Sequence, residues 1–520
     1  MELQYLYSLL ISHPHWLAAI LFLILPSVSF LFLSKPRNVD DKAASLNLPP
    51  SPPRLPILGN LHQLGKLAHR SLWQLSQKHG PVILLRLGQV PTLVVSSPEM
   101  AKQVLKTNDS VCCSRPYSHG SMTLSYNYLD VIFGPYSEYW KEMRKLCVSE
   151  LFNAKRVQSF SHFRELEVAR LIDSISEFCS SNNPIELDDK IFSFANNVLC
   201  HIVFGKIYEG KQFESYAKFR KAIDEAMAML SSFWVADFFP KFGWIVDALM
   251  GHHRRLERCF DQYDAFFESV IEEHRDANRQ SSGQEDIIDV LLRLSEDKAA
   301  PVQLSKQHIK SLLLDLFLGA INTSSLTIVW AMTELVRNPR ILKKAQAEIR
   351  DCIGKKERVS EHEIAKFKYL KMVVKETFRL HPPAPLLVPR ESMHHCHIAG
   401  YDVPPNTRIY VNAWAIGRDP NTWSPNAEEF CPERFEENEV DFRGQHFELI
   451  PFGAGRRICP GMLMGSINVE LVLANLLHCF DWDLPLGMKG KDISLEEEAG
   501  ITVHKKYPLL LVPLKYDWNR

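Results

Sequence analysis

The chain has 520 residues and a formal net charge of −1, with 46% hydrophobic and 23% charged residues. This balance is typical of a globular protein and lacks the basic excess of a nucleic-acid-binding protein, so we expect no nucleic acid among its partners. The 11 cysteines show no paired spacing, and their odd number argues against a closed disulfide framework. We therefore expect the body of the protein to lie in a reducing compartment.

The N-terminal segment predicts a membrane anchor. Residues 16–33 carry no charge, and at about 1.5 Å per residue a helix of this length nearly crosses the apolar core of a bilayer. A cleaved signal peptide is the competing interpretation, but it would carry positive charge before its apolar run. Here Glu2 precedes the run, and Lys35 and Arg37 follow it. We assign residues 1–35 to a retained anchor and expect the body to face the cytosol.

A basic and proline-rich hinge follows at residues 36–56, with prolines at positions 49, 50, 52, 53 and 56. Proline disfavours helix and stiffens an extended chain, so the hinge should hold the catalytic domain, residues 57–520, off the membrane. Two runs rich in valine and leucine, 82–87 and 92–96, are separated by glycine and proline and predict a hairpin.

Helical periodicity dominates the chain beyond this hairpin and predicts a mainly α fold with small β-sheets. Residues 98–106 are amphipathic, whereas 108–135 are irregular and rich in serine and tyrosine. An irregular segment of that length usually has a function, so we interpret it as part of a pocket wall. The charged stretch 285–301 is expected to be an exposed loop.

Two pairs of side chains lie on predicted helices at spacings that place them on one face. Trp140 and Arg144 are four residues apart and offer an indole N–H together with a guanidinium. Glu376 and Arg379 are three residues apart, just before a His-Pro-Pro sequence that ends their helix. Taken alone, each pair is most often an ordinary surface pair.

A long helix is predicted at residues 305–338, where Pro339 ends it. At about 50 Å it would cross the whole body. Its middle, residues 319–324, reads Gly-Ala-Ile-Asn-Thr-Ser and interrupts apolar residues with small and polar ones. A buried polar cluster needs partners or water, and a close helix crossing is the alternative explanation.

A second hairpin is predicted between residues 398 and 411, which contain a Gly-Tyr turn and a Pro-Pro-Asn turn. The sequence His-His-Cys-His at 394–397 precedes it and could suggest a metal cluster. Because adjacent residues on a strand point to opposite faces, we do not expect zinc there.

One cysteine stands in a distinctive setting. The segment 452–461 reads Phe-Gly-Ala-Gly-Arg-Arg-Ile-Cys-Pro-Gly and places Cys459 just before an apolar segment, 462–480. The start of a helix favours a thiolate, because unpaired N–H groups and the helix dipole stabilise negative sulfur. Phe452 can pack near the sulfur, and Arg457 is spaced to reach a carboxylate. The alternative without a functional role is a buried structural cysteine before a core helix.

This segment resembles the haem-binding signature of the cytochrome P-450 family, the haem-thiolate monooxygenases. The Trp-x-x-x-Arg pair, segment 319–324, the Glu-x-x-Arg pair and Pro-Glu-Arg-Phe at 432–435 resemble further motifs of the family, in its order and spacing. The hinge resembles that of microsomal, especially plant, members. The resemblance covers nearly the whole chain and implies the P-450 fold, with the long central helix over the haem.

The resemblance also implies roles for individual residues. Cys459 would be the axial ligand of the iron of haem b. The implied cofactor contacts are Trp140, Arg144, Arg390, Arg457 and Phe452, and the implied structural network is Glu376, Arg379 and Arg434. The expected pocket residues are Ala320, Leu386, Leu387, Val388 and Ile501, the last in a C-terminal turn at 499–502.

Asn322 and Thr323 are the implied catalytic residues. Two positions depart from the family motif, since Ala320 replaces a glycine and Asn322 replaces an acid. The effect of both departures is open at this stage.

The implied activity is oxidation of a small lipophilic plant metabolite, a terpenoid, alkaloid or phenylpropanoid, with dioxygen and with electrons from NADPH through a separate P-450 reductase. The expected location is the endoplasmic reticulum membrane, with a single span and contact with membrane lipid. Hydroxylation, ring closure and desaturation all remain open. A haem-thiolate isomerase or dehydratase and a non-catalytic haem protein are the alternatives, and Thr323 argues against the first.

Overall fold

The computed structural model describes residues 46–180, 183–276, 279, 284–298 and 302–518. The predicted anchor at 1–35 and the hinge residues 36–45 lie outside the described residues. The remainder of the hinge contains no helix, as its prolines require.

Helices form most of the described chain, which confirms the predicted mainly α fold. In chain order they are α1 (Ala68–His79), α2 (Pro98–Lys102), α3 (Asp109–Cys112), α4 (His119–Leu124), α5 (Glu138–Leu146), α6 (Ala154–Ser159), α7 (Ser161–Ser176), α8 (Leu187–Phe204), α9 (Phe213–Ser231), α10 (Gly243–Leu249), α11 (His252–Arg275), α12 (Ile287–Glu296), α13 (Lys306–Arg337), α14 (Pro339–Ile353), α15 (Tyr369–Leu380), α16 (Ala413–Ile416) and α17 (Met462–Cys479).

The strands are short and form four small sheets among the described residues. They are β1 (Val82–Leu87), β2 (Val90–Val95), β3 (Ile185–Glu186), β4 (Arg390–Glu391), β5 (Cys396–Ile398), β6 (Tyr401–Val403), β7 (Arg408–Val411), β8 (Phe480–Asp483), β9 (Glu497–Glu498), β10 (His504–Lys505) and β11 (Leu510–Lys515). The sheet orders are β1-β2-β7-β4, β3-β11-β8, β5-β6 and β9-β10.

The largest sheet contains the predicted first hairpin, in which β1 and β2 pair antiparallel. The second predicted hairpin is correct only for β5 and β6, because β7 pairs in parallel with β2 instead. That arrangement lets the apolar face of β7, Ile409 and Val411, pack against Leu93 and Val95 of β2 in one buried cluster.

The expectation of an exposed loop at 285–301 was wrong, because α12 lies within it. Asp286 caps this helix in a reciprocal arrangement with Asp289. The apolar residues between the charges, including Ile288 and Leu291, are fully buried and stabilise the helix.

The long helix α13 runs through the middle of the body. Ser305 caps its N-terminus, and 32 residues follow before Asn338 and Pro339 end it. It packs against α8 and α17, and it is apolar enough to span a membrane, as is α17. Among the described residues these two helices are mostly buried inside the protein, so they form the core on which the site is built.

Candidate active site

Cys459 lies in a tight loop three residues before α17. Its own N–H donates to the Phe452 carbonyl at 3.0 Å. Burial raises the pKa of the Cys459 thiol in the protein alone, while the Gly461 N–H and the Arg144 guanidinium act in the opposite direction. Arg144 also donates to the carbonyl of Ile458, so α5 holds the residue next to the sulfur. These donors favour a thiolate once an electrophilic partner binds it.

The ring of Phe452 fixes the other end of the loop. It packs against Phe378 of α15 and against Phe442, with ring centroids 5.1 Å and 5.4 Å away. A Cβ added to Gly465 would lie 4.0 Å from Phe452 and 3.9 Å from the Ser324 hydroxyl of α13. The cysteine loop and the central helix are therefore close neighbours, and small residues allow this approach.

The central helix faces an open space at its middle. Between residues 309 and 336 every residue is buried except Asp315, which packs against Asp130, and four residues that share one side of the helix over about one turn: Gly319, Ala320, Asn322 and Thr323. A Cβ added to Gly319 would meet no atom of the described chain within 4 Å. Both predicted catalytic residues and Ala320 thus lie on a part of the helix that the rest of the described chain leaves uncovered, as expected for a ligand site.

Within this face, the Thr323 hydroxyl donates to the Gly319 carbonyl at 2.6 Å. The bond leaves the lone pairs of the hydroxyl oxygen free to accept a hydrogen bond from the cavity side. Asn322 is half-buried beside it. This face of the small-residue segment is therefore uncovered in the described chain, whereas the alternative of a close helix crossing would have filled it with protein.

Arg457 and Trp140 stack on each other, with the guanidinium 3.7 Å from the indole centroid. Arg457 donates to the carbonyls of Cys113, Val131 and Gly134 at 2.8, 3.3 and 2.7 Å. The Trp140 indole N–H donates to the same Val131 carbonyl at 3.0 Å. In the structure both donors therefore contact backbone carbonyls, and the carboxylate expected beside Arg457 is not among its protein partners in the described chain.

Arg390 is held by a carboxylate that sequence reasoning missed. Its guanidinium donates to Asp109 at 2.7 Å and to the Ala454 carbonyl at 2.7 Å. The other Asp109 oxygen accepts from the N–H of Arg456 at 2.9 Å. Asp109 thus joins β4 to the cysteine loop. No local pattern could have indicated this, because its partners lie hundreds of residues away in the sequence.

Arg115 is a second residue that the sequence analysis missed. It lies in segment 108–135, which was expected to be irregular but contains the short helices α3 and α4, and it donates to the carbonyls of Ile132, Val388 and Pro389 at 2.9, 2.7 and 2.8 Å. The segment had been interpreted as a pocket wall, and a single arginine among its serines and tyrosines was the available signal.

These arginines form a cationic cluster beside the cysteine loop. Burial, together with the like charges of Arg390 and Arg144, lowers the pKa of Arg457 to about 9. Burial and the charges of Arg457 and Arg390 also lower the pKa of Arg115 well below its ordinary value. Such mutual repulsion indicates a donor set that fits an anionic group, and the two carboxylates of a haem held by Cys459 would supply the matching charge.

A buried pair of carboxyl groups supports the turn that carries Val131. Asp130 and Asp315 lie against each other, and burial, followed by the charge of Asp130, raises the pKa of Asp315. Asp315 accepts from the Val131 N–H at 2.8 Å, and Asp130 accepts from Phe133 at 2.6 Å. The central helix is thereby tied to the carbonyl that receives Arg457.

The predicted structural network is assembled around a fully buried ion pair. Arg379 and Glu376 make two bonds of 2.7 and 2.8 Å, and both side chains have zero exposure. Arg434 reaches Glu376 at 2.9 Å, and the Cys431 N–H donates to it at 2.8 Å. The three side chains join α15 to the segment that leads to the cysteine loop.

The residues predicted to line the substrate pocket are all half-buried: Ala320, Leu386, Leu387, Val388 and Ile501. The Leu387 methyl lies 3.8 Å from the position of a Cβ on Gly453, next to the cysteine loop. Ile501 lies in a turn whose backbone N–H donates to Ser231, at the end of α9. Leu386 differs, since it packs against the apolar cluster under β1 and β2.

These features together are typical of a haem-thiolate protein: the loop of Cys459, the cationic cluster beside it and a central helix with an open face. The chain belongs to the cytochrome P450 family, whose family model, "Cytochrome P450", matches residues 49–512. It is a cytochrome P450 monooxygenase of the plant type.

The chain is similar to several plant proteins. "Cytochrome P450 71B36" of Arabidopsis thaliana is 49% identical over 96% of this chain and 99% of its own. The "4-hydroxyphenylacetaldehyde oxime monooxygenase" of Sorghum bicolor is 50% identical over 94% of this chain and 93% of its own. Among solved structures, a zebra fish cytochrome P450 with abiraterone has a TM-score of 0.72 at 23% identity, covering 86% of this chain and 100% of the other, which shows the fold alone.

Proposed function

We propose that this protein is a membrane-anchored monooxygenase that oxidises a small lipophilic plant metabolite. The observation that carries the proposal is the open face of α13, where Ala320, Asn322 and Thr323 border a cavity close to the Cys459 loop. Ala320 and the half-buried side chains of Leu387, Val388 and Ile501 are apolar. An apolar cavity with few polar groups favours a lipophilic substrate.

The substrate class is narrowed by the relatives. The Sorghum bicolor protein, 50% identical to this chain, is named for an aromatic aldehyde oxime. We infer a phenylpropanoid, terpenoid or alkaloid of similar size, with the relative favouring an aromatic compound. Hydroxylation is the expected outcome, and ring closure or desaturation would use the same site.

Cys459 would supply the axial thiolate of haem b. A thiolate-bound haem iron provides the electron density that favours O–O cleavage of dioxygen. Arg457, Trp140, Arg144 and Arg390 would hold the propionates, with Arg457 exchanging backbone carbonyls for a carboxylate. Phe452 would pack beside the sulfur and limit its access to water.

Proton delivery is the task we assign to Thr323. Its hydroxyl donates to the Gly319 carbonyl, so its oxygen can accept a hydrogen bond from a water molecule in the cavity. Rotation of the hydroxyl away from Gly319 would then let it pass its own proton onward. Asn322 does not ionise near neutral pH, so it can order a water molecule but cannot exchange a proton as an acid would. Thr323 therefore carries more of the relay than in a site with an acid at position 322.

Electrons would come from NADPH through a membrane-bound P450 reductase. Arg456 is half-exposed on the outside of the cysteine loop, and Lys141 and Lys145 are exposed on α5. Each is paired with a carboxylate in the structure, Lys141 with Glu138, Lys145 with Glu142 and Arg456 with Asp109. The acidic groups of a reductase would compete with these carboxylates for the three cations. The anchor at 16–33 would hold this protein in the endoplasmic reticulum membrane beside the reductase, with the body in the cytosol.

The test is turnover in membranes containing this protein and a P450 reductase, against a library of plant lipophiles. We expect a product that requires both NADPH and dioxygen and that takes up oxygen from isotopically labelled dioxygen when hydroxylated. Product formation without NADPH would instead establish the isomerase or dehydratase alternative. A haem-loaded protein that turns over no compound in the library would favour the non-catalytic haem protein.

A further inference from the structure

The hairpin of β5 and β6 brings three potential metal ligands to one place. Its turn is Ala399-Gly400, both with positive φ, at 54° and 79°. This turn fixes the register so that His397 lies directly opposite Asp402. His395 lies just before β5, and its imidazole is on the same side as that of His397, because both contact Asp402. The objection to zinc from adjacent residues therefore does not apply to His395 and His397.

The ligand atoms converge on a single point. Nε2 of His395 lies 2.8 Å from Oδ1 of Asp402, and Nδ1 of His397 lies 3.3 Å from the same oxygen. All three atoms lie within 4.8 Å of one another. A tetrahedral zinc site with bonds of about 2.1 Å has ligand separations of about 3.4 Å. The imidazoles are 44% and 66% exposed, so rotation of the side chains alone can close the difference.

Surrounding groups orient these ligands, as outer partners do in metal sites. The backbone N–H of Asn47 donates to Oδ2 of Asp402 at 2.7 Å, which leaves Oδ1 directed to the histidines. Asn108 donates to the His397 carbonyl at 3.1 Å, and the Asn47 amide donates to Gly400 at 3.0 Å.

A second cluster of similar composition serves as a contrast. His274, Asp286 and Asp289 also place ligand atoms within 4.8 Å of one another. The guanidinium of Arg279, however, contacts Asp286 at 2.5 Å and Asp289 at 2.6 Å. This cluster already holds a cation, whereas no arginine or lysine is paired with Asp402 among the described residues.

We propose that His395, His397 and Asp402 bind one divalent transition-metal ion of the zinc class, with water completing its coordination. Two imidazoles and a carboxylate suit Zn²⁺, and Cu²⁺ would bind more tightly to the same donors. Because Asn47 contacts Asp402 and Gly400, the ion also fastens the hinge, at residue 47, to the catalytic body. The site is independent of haem and lies outside the catalytic cavity.

The proposal is tested by calorimetric titration of Zn²⁺ into the full-length, haem-loaded protein at pH 7.5. We expect saturable binding of one ion, at least about tenfold weaker in His397→Ala or Asp402→Asn and abolished in the double variant His395→Ala/His397→Ala. His394→Ala is the matched control and should bind as the unmodified protein does. Zinc-edge X-ray absorption, which haem iron does not obscure, should report two imidazole ligands.

Either of two results would overturn the metal site: no stoichiometric binding to the unmodified protein, or equal affinity in the double variant and in His394→Ala. A separate variant tests whether the metal ion links the hinge to the catalytic body. Asn47→Pro removes the amide donor to Asp402 and should weaken zinc binding about tenfold. Unchanged affinity in Asn47→Pro would show that the ion does not fasten the hinge.

Discussion

Replacing Arg379 with alanine should remove the most heavily bonded buried cation of the network around α15. Its guanidinium makes two bonds to Glu376 and donates to the carbonyls of Gly417, Ala427 and Glu429 at 2.5, 2.5 and 2.9 Å. Neither Arg379 nor Glu376 has an exposed side chain, so water cannot replace these bonds without a local rearrangement.

The expected loss can be worked from these contacts. Breaking a buried ion pair by removing one partner costs about 3–5 kcal/mol, because the remaining charge is uncompensated. Each carbonyl left without a donor adds about 1–3 kcal/mol. Arg434 still contacts Glu376, which moderates the first contribution. The total is about 5 kcal/mol or more, comparable with the whole free energy of unfolding of many proteins.

The assay is urea unfolding of the haem-loaded protein, followed by haem absorbance. Arg379→Ala should yield little protein that retains haem, and Arg379→Lys should shift the unfolding midpoint strongly, since lysine cannot reach both the carboxylate and the three carbonyls. Arg340→Ala is the control, because Arg340 is 69% exposed in its pair with Glu433 and should contribute about 1 kcal/mol or less. Equal midpoints for Arg379→Ala and Arg340→Ala would refute the reasoning.

Three further predictions concern the relay, the carboxyl pair and the anchor. Thr323→Ala should sharply raise the share of electrons lost as peroxide, while Asn322→Asp should leave product identity unchanged. If electron use stays coupled to product formation in Thr323→Ala, Thr323 does not relay protons. The pKa of Asp315 is raised on folding, so its contribution to stability is lost as pH rises above about 4. In urea titrations, Asp315→Asn should lose less stability over this range and should be more stable than the unmodified protein near neutrality. The same dependence of unfolding free energy on pH in both proteins would contradict this. Protease added to intact microsomes should digest the body; its protection would reverse the orientation predicted from residues 16–33.

Much of the fold and site followed from local patterns. Sequence patterns predicted three features: the segment around Cys459, the length of α13 and the first hairpin. They could be predicted because spacing, caps and glycines act over a few residues. Contacts between distant segments could not be predicted from the sequence. Asp109 meets Arg390 and Asp130 meets Asp315 only because α13, β4 and the cysteine loop pack together, and no sequence period marks such a meeting.

The helix α12 shows a different limit. Its charges suggested a loop, but Asp286 and Asp289 are the capping residues of the helix, and the apolar residues between the charges are its buried face. Composition averaged over a segment hides a face of this kind, whereas the position of each charge relative to the first turn reveals it.

The measurement that tests the central claim most directly is the absorbance of the reduced carbon monoxide complex. The unmodified protein should show the red-shifted band of a thiolate-bound haem, and Cys459→His should lose that band. Cys352→Ser, which changes an exposed cysteine, should retain it. A red-shifted band that survives in Cys459→His would contradict the assignment of Cys459 as the iron ligand.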